Sequence, residues 1–185
     1  MSGVRTLRPG PLAVPFVVAG IIPTALGLWL AGPTAPLPLA ATVTAGTLLV
    51  LLGAWMTADA VDRVYLRQGT PLGDLPPDYL VTNGWYRIVR NPMAGGMTLL
   101  LLGESLLWQA LSVVGWAAVV LTVSYVAAAR VEEPSLLEAF GDEYARYRRS
   151  VPAWLPFPRP GRAARGAAAG APTRLPASDT PTSEA

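Results

Sequence analysis

Glu132 and Glu133 stand side by side where a long apolar stretch ends. In a chain with no Cys and no His, acid–base work falls to such carboxylates, to Tyr and Arg, or to amides and the backbone. The same absence removes disulfides, thiolate nucleophiles and the usual zinc ligands, so no metal site is expected. A second stretch, residues 69–96, reads GTPLGDLPPDYLVTNGWYRIVRNPMAGG and sets turn formers, two aromatics and two arginines against a helix start. Asn83-Gly84 signals a turn, and Pro92 suits a first helical position, where its missing N–H costs nothing. Free N–H groups at that helix N-terminus attract anions, and Arg87 and Arg90 add to the field. The plainer reading of both arginines is contact with lipid phosphates. Asp78 is a further carboxylate within the stretch, and Glu104 lies about 18 Å along the next helix from Pro92. A carboxylate at that depth is a functional candidate; the simpler reading is a protonated packing residue bonded to Ser105, Ser112 or Ser124.

The elements that must carry these residues are apolar. Of 185 residues 52% are hydrophobic and only 14% charged, against about a quarter charged in an ordinary soluble domain. Four runs can span about 30 Å of hydrocarbon: residues 12–30, 37–56, 93–108 and 111–129. Gln109 and Ala110 form a tight turn between the last two, with Trp29 and Trp108 at one interface and Trp55 at the other. The basic residues are all Arg, and Arg5, Arg8, Arg63, Arg67, Arg87, Arg90 and the group from Arg130 onward fall on one side of this arrangement. The positive-inside rule makes that side, with both termini, cytoplasmic. The first run is too long for a typical signal peptide and is read as an uncleaved helix. From Ser135 to Arg149, the apolar positions Leu136, Leu137, Phe140, Tyr144 and Tyr147 recur at helical spacing, interrupted by Gly141. This predicts an amphipathic helix on the membrane surface, with Trp154 and Phe157 as anchors. The fold class is therefore all-α: an integral membrane bundle of about four transmembrane helices plus a C-terminal interfacial helix. A net charge of +2 gives no reason to expect nucleic acid. The Arg bias with abundant Ala, Gly and Pro points to a GC-rich genome and a bacterial inner membrane.

The motifs over residues 69–158 resemble the isoprenylcysteine carboxyl methyltransferase and phospholipid methyltransferase group of membrane enzymes. Leu80-Val81-Thr82, Gly84, Tyr86, Arg90, Asn91, Pro92 and Gly96 match its first motif. Glu132-Glu133, Leu136, Phe140-Gly141, Tyr144, Tyr147 and Val151-Pro152 match its second, and the two flank a membrane hairpin. The resemblance implies S-adenosylmethionine bound at the cytoplasmic side and a membrane lipid or lipophilic small molecule as acceptor. It also implies cofactor contacts from Leu80, Val81, Tyr86, Arg90, Asn91, Pro92, Met93, Gly96 and Glu132. Glu132 and Glu133 then become the candidate bases, with Arg130 at the acceptor. On this reading residues 1–56 are a transmembrane pair, 57–158 the methyltransferase-like region and 159–185 a disordered tail.

The chain departs from its relatives in carrying Ala94 where most have Tyr and Trp85 where most have Pro. The lost ring opens the expected pocket, and Trp85 is a candidate to refill it. Two other functions are compatible with such a bundle: a non-catalytic membrane protein keeping the family fold, and an NADPH-dependent reductase. Against the reductase, there is no dinucleotide glycine fingerprint and little cytoplasmic mass.

Overall fold

A computed structural model of the chain describes residues 17, 21–29, 38–68 and 77–156. They form five α-helices: α1 (Ile22–Trp29), α2 (Leu39–Val61), α3 (Pro92–Trp108), α4 (Leu111–Ala127) and α5 (Glu133–Ser150). π-helical turns prolong α2 over Asp62–Leu66 and join α4 to α5 over Ala128–Glu132, and a 3₁₀ turn covers Gly84–Arg87. Among the described residues there is no strand. Of the expected first run, 12–30, only a part is described and Ile22–Trp29 within it is helical. The expected tail at 159–185 and the anchor Phe157 lie outside the described residues.

Local chemistry explains the boundaries. Asn91 precedes Pro92 at the first position of α3, and Gln109 takes the left-handed conformation (φ 49°) that ends it. The N–H groups of Gln109 and Ala110 return to the carbonyls of Leu106 and Ser105, so α4 starts at Leu111 as the mate of α3 in a hairpin. α2 overruns its expected end at residue 56, because Asp59 and Arg63 pair one turn apart on its surface. Residues that read as loop charges therefore extend the helix.

The closest packing is between α2 and α3, and glycines make it possible. Gly46 meets Gly103 and Gly53 meets Gly96, two pairs seven residues apart on antiparallel helices. A Cβ on Gly53 would sit 2.5 Å from the Gly96 carbonyl and 2.6 Å from the Leu100 N. Those are backbone atoms, so the helices themselves would have to part. Gly53→Leu should lower the thermal midpoint in detergent, at a cost of about 1–3 kcal/mol or more. Gly115→Leu should not, since among the described residues nothing from outside its own turn of helix lies within 4 Å of an added Cβ. Equal midpoints for the two variants would refute this account of the crossing.

Met97 and Leu101 of α3 pack on Ala117 and Val120 of α4, while much of the outer surface stays apolar, Leu48, Leu51 and Leu111 among the exposed residues. Two helical stretches, Leu39–Leu66 and Leu111–Ser150, are long and apolar enough to cross a membrane. The second runs 40 residues, about 60 Å, twice the thickness of a hydrocarbon core. Its apolar part, α4, makes the crossing length and leaves α5 beyond it. Gly141, at φ 50° and ψ −124°, then bends α5 into two arms.

That bend and the burial behind it correct the surface-helix expectation. Tyr144 is 2% exposed and Tyr147 8%, packed with Leu80 and Val151, with Leu136 and Phe140 against them. The aromatic face of α5 is covered by its own chain, and Leu137 is the residue of the stripe left exposed. Periodicity identified the face, and the loop before α3 covers it.

Candidate functional site

At the Arg-rich end, the C-terminus of α2, the loop before α3, the start of α3, the end of α4 and α5 enclose a cavity of about 290 Å³. That volume is at the small end of ligand pockets, about 300–1,000 Å³. Leu80, Val81, Tyr86, Arg90, Asn91, Met93, Glu132 and Glu133, all singled out in the sequence, line it. Pro92, Gly96 and Arg130 do not. Pro92 is buried in the first turn of α3, and Gly96 is the α2–α3 contact, where a Cβ would press on Thr57 and the Gly53 carbonyl. Arg130 is exposed, two residues before Glu132 and so on the opposite side of the helical turn. Asp78 is likewise exposed and off the cavity wall.

The two adjacent carboxylates have different surroundings. Glu133 accepts from Arg90 Nη1 at 2.6 Å and forms an ion pair with Arg148 Nε at 3.3 Å. Arg90 Nη1 also donates to the Tyr144 hydroxyl at 3.2 Å, which ties the loop before α3 to both arms of α5. Among the described residues no ion pair reaches Glu132. Burial raises its pKa, and the neighbouring Glu133 charge raises it further. A half-buried carboxylate without a cation among the described residues and a cation with a carboxylate thus share one wall. Arg90 is not fully spent: its Nε is buried and has no partner among the described residues.

The anion site expected at the start of α3 is partly used by the chain itself. Arg90 N–H donates to the Pro152 carbonyl at 2.9 Å and Asn91 N–H to that of Ala153 at 3.1 Å. Asn91 Nδ2 adds a contact to Ala153 O, so the segment after α5 straps the cofactor-motif residues in place. The Arg90 Nε, buried without a partner among the described residues, is still open to an acceptor. Tyr86 is held from behind, its carbonyl accepting from the Tyr147 hydroxyl at 2.7 Å. Burial drives both phenols far above their ordinary pKa, so each keeps its proton.

A model of the phospholipid methyltransferase family matches residues 41–143. The chain belongs to the phospholipid methyltransferase family. No curated protein matches it. Membership implies phospholipid methyltransferase activity, in a family that uses S-adenosylmethionine, and with the two long apolar helices it points to a membrane protein. The match runs from α2 into α5 and takes in every cavity residue except Tyr144 and Tyr147.

Within this family frame, the structure settles where the two departures sit. Ala94 lines the cavity, whereas Trp85 stacks edge-on against Trp55 with ring centroids 5.1 Å apart and is not part of the wall. Trp85 therefore does not refill the space. Tyr65, from the π-helical end of α2, lines it instead, and sequence reasoning missed it by ending the helix at residue 56. Val123, Ser124 and Ala127 of α4 were missed as well, because their apolar run gives no sign of a polar neighbour. Glu104 is remote from the cavity. Ser105 Oγ donates to Leu102 O and Ser112 Oγ to Leu26 O, and Glu104 Oε2 is buried without a partner among the described residues.

Proposed function

We propose that the chain is an integral membrane enzyme of four crossings that uses S-adenosylmethionine to methylate a lipid or other hydrophobic acceptor at the cytoplasmic face. The observation that carries this reading is a pair of unmet groups in one cavity: the Glu132 carboxylate, which no ion pair reaches among the described residues, and the Arg90 Nε, a buried donor with no partner among them. A ligand that satisfies both must offer a cation and a hydrogen-bond acceptor together, and the cofactor does so with its ammonium or sulfonium and its carboxylate. Arg90 holds the carboxylate, Glu132 the cationic end or the ribose hydroxyls, and the rings of Tyr65 and Tyr86 face positive charge. When bound, S-adenosylmethionine supplies a methyl group on a sulfonium, ready for in-line displacement, so alignment alone can contribute a large share of the catalysis.

Acceptor entry is assigned to α4. Val123 lines the cavity and is also 62% exposed, so the wall there is one side chain thick and faces the region where lipid would lie. For an acceptor that must lose a proton, Glu132 is the base. Glu133 is held between two arginines, and Asp78 is off the wall. Burial and the Glu133 charge raise the proton affinity of Glu132, making it a stronger base than an ordinary carboxylate.

Titration of the purified full chain in detergent with S-adenosylmethionine and, separately, NADPH tests the reading. Saturable binding of the first alone is expected, with labelled methyl passing to extracted membrane lipid. Binding of NADPH instead would replace methyl transfer with reduction, and cofactor binding without transfer to any lipid would favour a non-catalytic relative.

A further inference from the structure

Arg63 read from the sequence only as a topology charge, yet with Asp59 it makes a set of contacts that a topology charge does not need. Arg63 Nε and Nη2 both reach Asp59 Oδ1 at 2.8 Å, and its Nη1 donates to Asn83 Oδ1 at 2.8 Å. The other carboxylate oxygen, Asp59 Oδ2, accepts from the Trp85 backbone N–H at 3.3 Å. Both side chains are only about a fifth exposed, at 22% and 18%. Between the two held residues lies Gly84, at φ 58°, where an added Cβ would land on the Arg63 guanidinium and 2.6 Å from Asp59 Oδ2. The turn thus lies directly on the ion pair and accepts no side chain at its centre. Two residues past Gly84 on the turn is Tyr86, which lines the cavity.

We propose that the pair of Asp59 and Arg63 is a positioning device that holds the Gly84–Arg87 turn from the end of α2 and so sets the Tyr86 ring in the cofactor cavity. The Tyr147 hydroxyl fixes the same turn from the other side through the Tyr86 carbonyl. α2 and α5 therefore grip it together, and the site's aromatic wall moves only if one grip is released. This assignment rests on the cofactor reading above for its effect on affinity, though not for its effect on the turn.

Asp59→Ala and Arg63→Ala, each made in the full chain in detergent, test it by two readouts. Amide hydrogen exchange over residues 83–87 should quicken about tenfold in both, and S-adenosylmethionine affinity should fall about tenfold. The double variant should be no worse than either single one, since both remove one device. The swap Asp59→Arg/Arg63→Asp rebuilds a helix ion pair but not the bonds to Trp85 and Asn83. It should restore the thermal midpoint and leave affinity low. Recovery of affinity in the swap, or unchanged affinity with quickened exchange, would overturn the proposal by making the pair a plain helix staple. Unchanged exchange at 83–87 would overturn it too. If the wild-type chain binds no S-adenosylmethionine the function reading fails, and the exchange measurement still decides whether the pair holds the turn.

Discussion

Glu132→Ala should weaken S-adenosylmethionine binding about 100-fold while leaving the thermal midpoint unchanged or higher. Contacts between a buried charge and its partner typically contribute about 2–5 kcal/mol to binding, and each 1.4 kcal/mol is tenfold in affinity. Among the described residues Glu132 has no cation to lose, so the variant removes a partly desolvated carboxylate from the folded state without orphaning another of them. That asymmetry separates a ligand-binding acid from a structural one. The pH dependence has a definite sign. Burial and Glu133 hold the Glu132 pKa above the ordinary carboxylate range, and the ionised form is the one that attracts a cation. Affinity should therefore be full above the raised pKa and fall as pH drops through it, with a proton released on binding near that pH. Glu132→Gln should flatten this profile. Calorimetry at several pH values checks both statements, and wild-type affinity in the Ala variant would refute the assignment.

Much of this fold follows from local signals whose physics is short-range. Asn91-Pro92 opens α3, Gln109 closes it, and the expected third and fourth runs end within two residues of the observed helices. Such features depend on a few backbone dihedrals and one missing N–H, so neighbouring residues suffice to read them. Partnership is what failed to read. The glycines at 46, 53, 96 and 103 carry no sign of which will meet, and the stripe of Leu136, Phe140, Tyr144 and Tyr147 has the same period whether lipid or protein covers it. Helix length misled for a related reason: Asp59, Asp62, Arg63 and Arg67 look like a loop until the two pairs are joined. The cavity was legible where the motifs supply its wall and obscure where Tyr65, Val123, Ser124 and Ala127 complete it from ordinary helix sequence.

The Glu pair gives the sharpest contrast between the two kinds of residue, because its second member should behave in the opposite way. Glu133→Ala leaves the Arg90 guanidinium, whose side chain is 10% exposed, without its carboxylate. Removing one partner of a buried ion pair typically costs about 3–5 kcal/mol, since the survivor stays desolvated and unpaired. Arg148, at 52% exposure, loses its contact too, but water screens it and adds little to the loss. The variant should therefore show a much lowered thermal midpoint, whatever its affinity. Replacing both groups in Arg90→Met/Glu133→Leu removes the orphan charge, and a packed apolar pair is often as stable as the ion pair it replaces. Stability should return in that double variant, while S-adenosylmethionine binding should not, because the Arg90 Nε is gone as well. Midpoint and affinity thus separate along the pair: loss of Glu132 moves affinity alone, loss of Glu133 moves stability first, and the double replacement restores stability alone. A Glu133→Ala protein as stable as wild type would mean that Arg90 finds another anion, and the division of labour between the two carboxylates would fall.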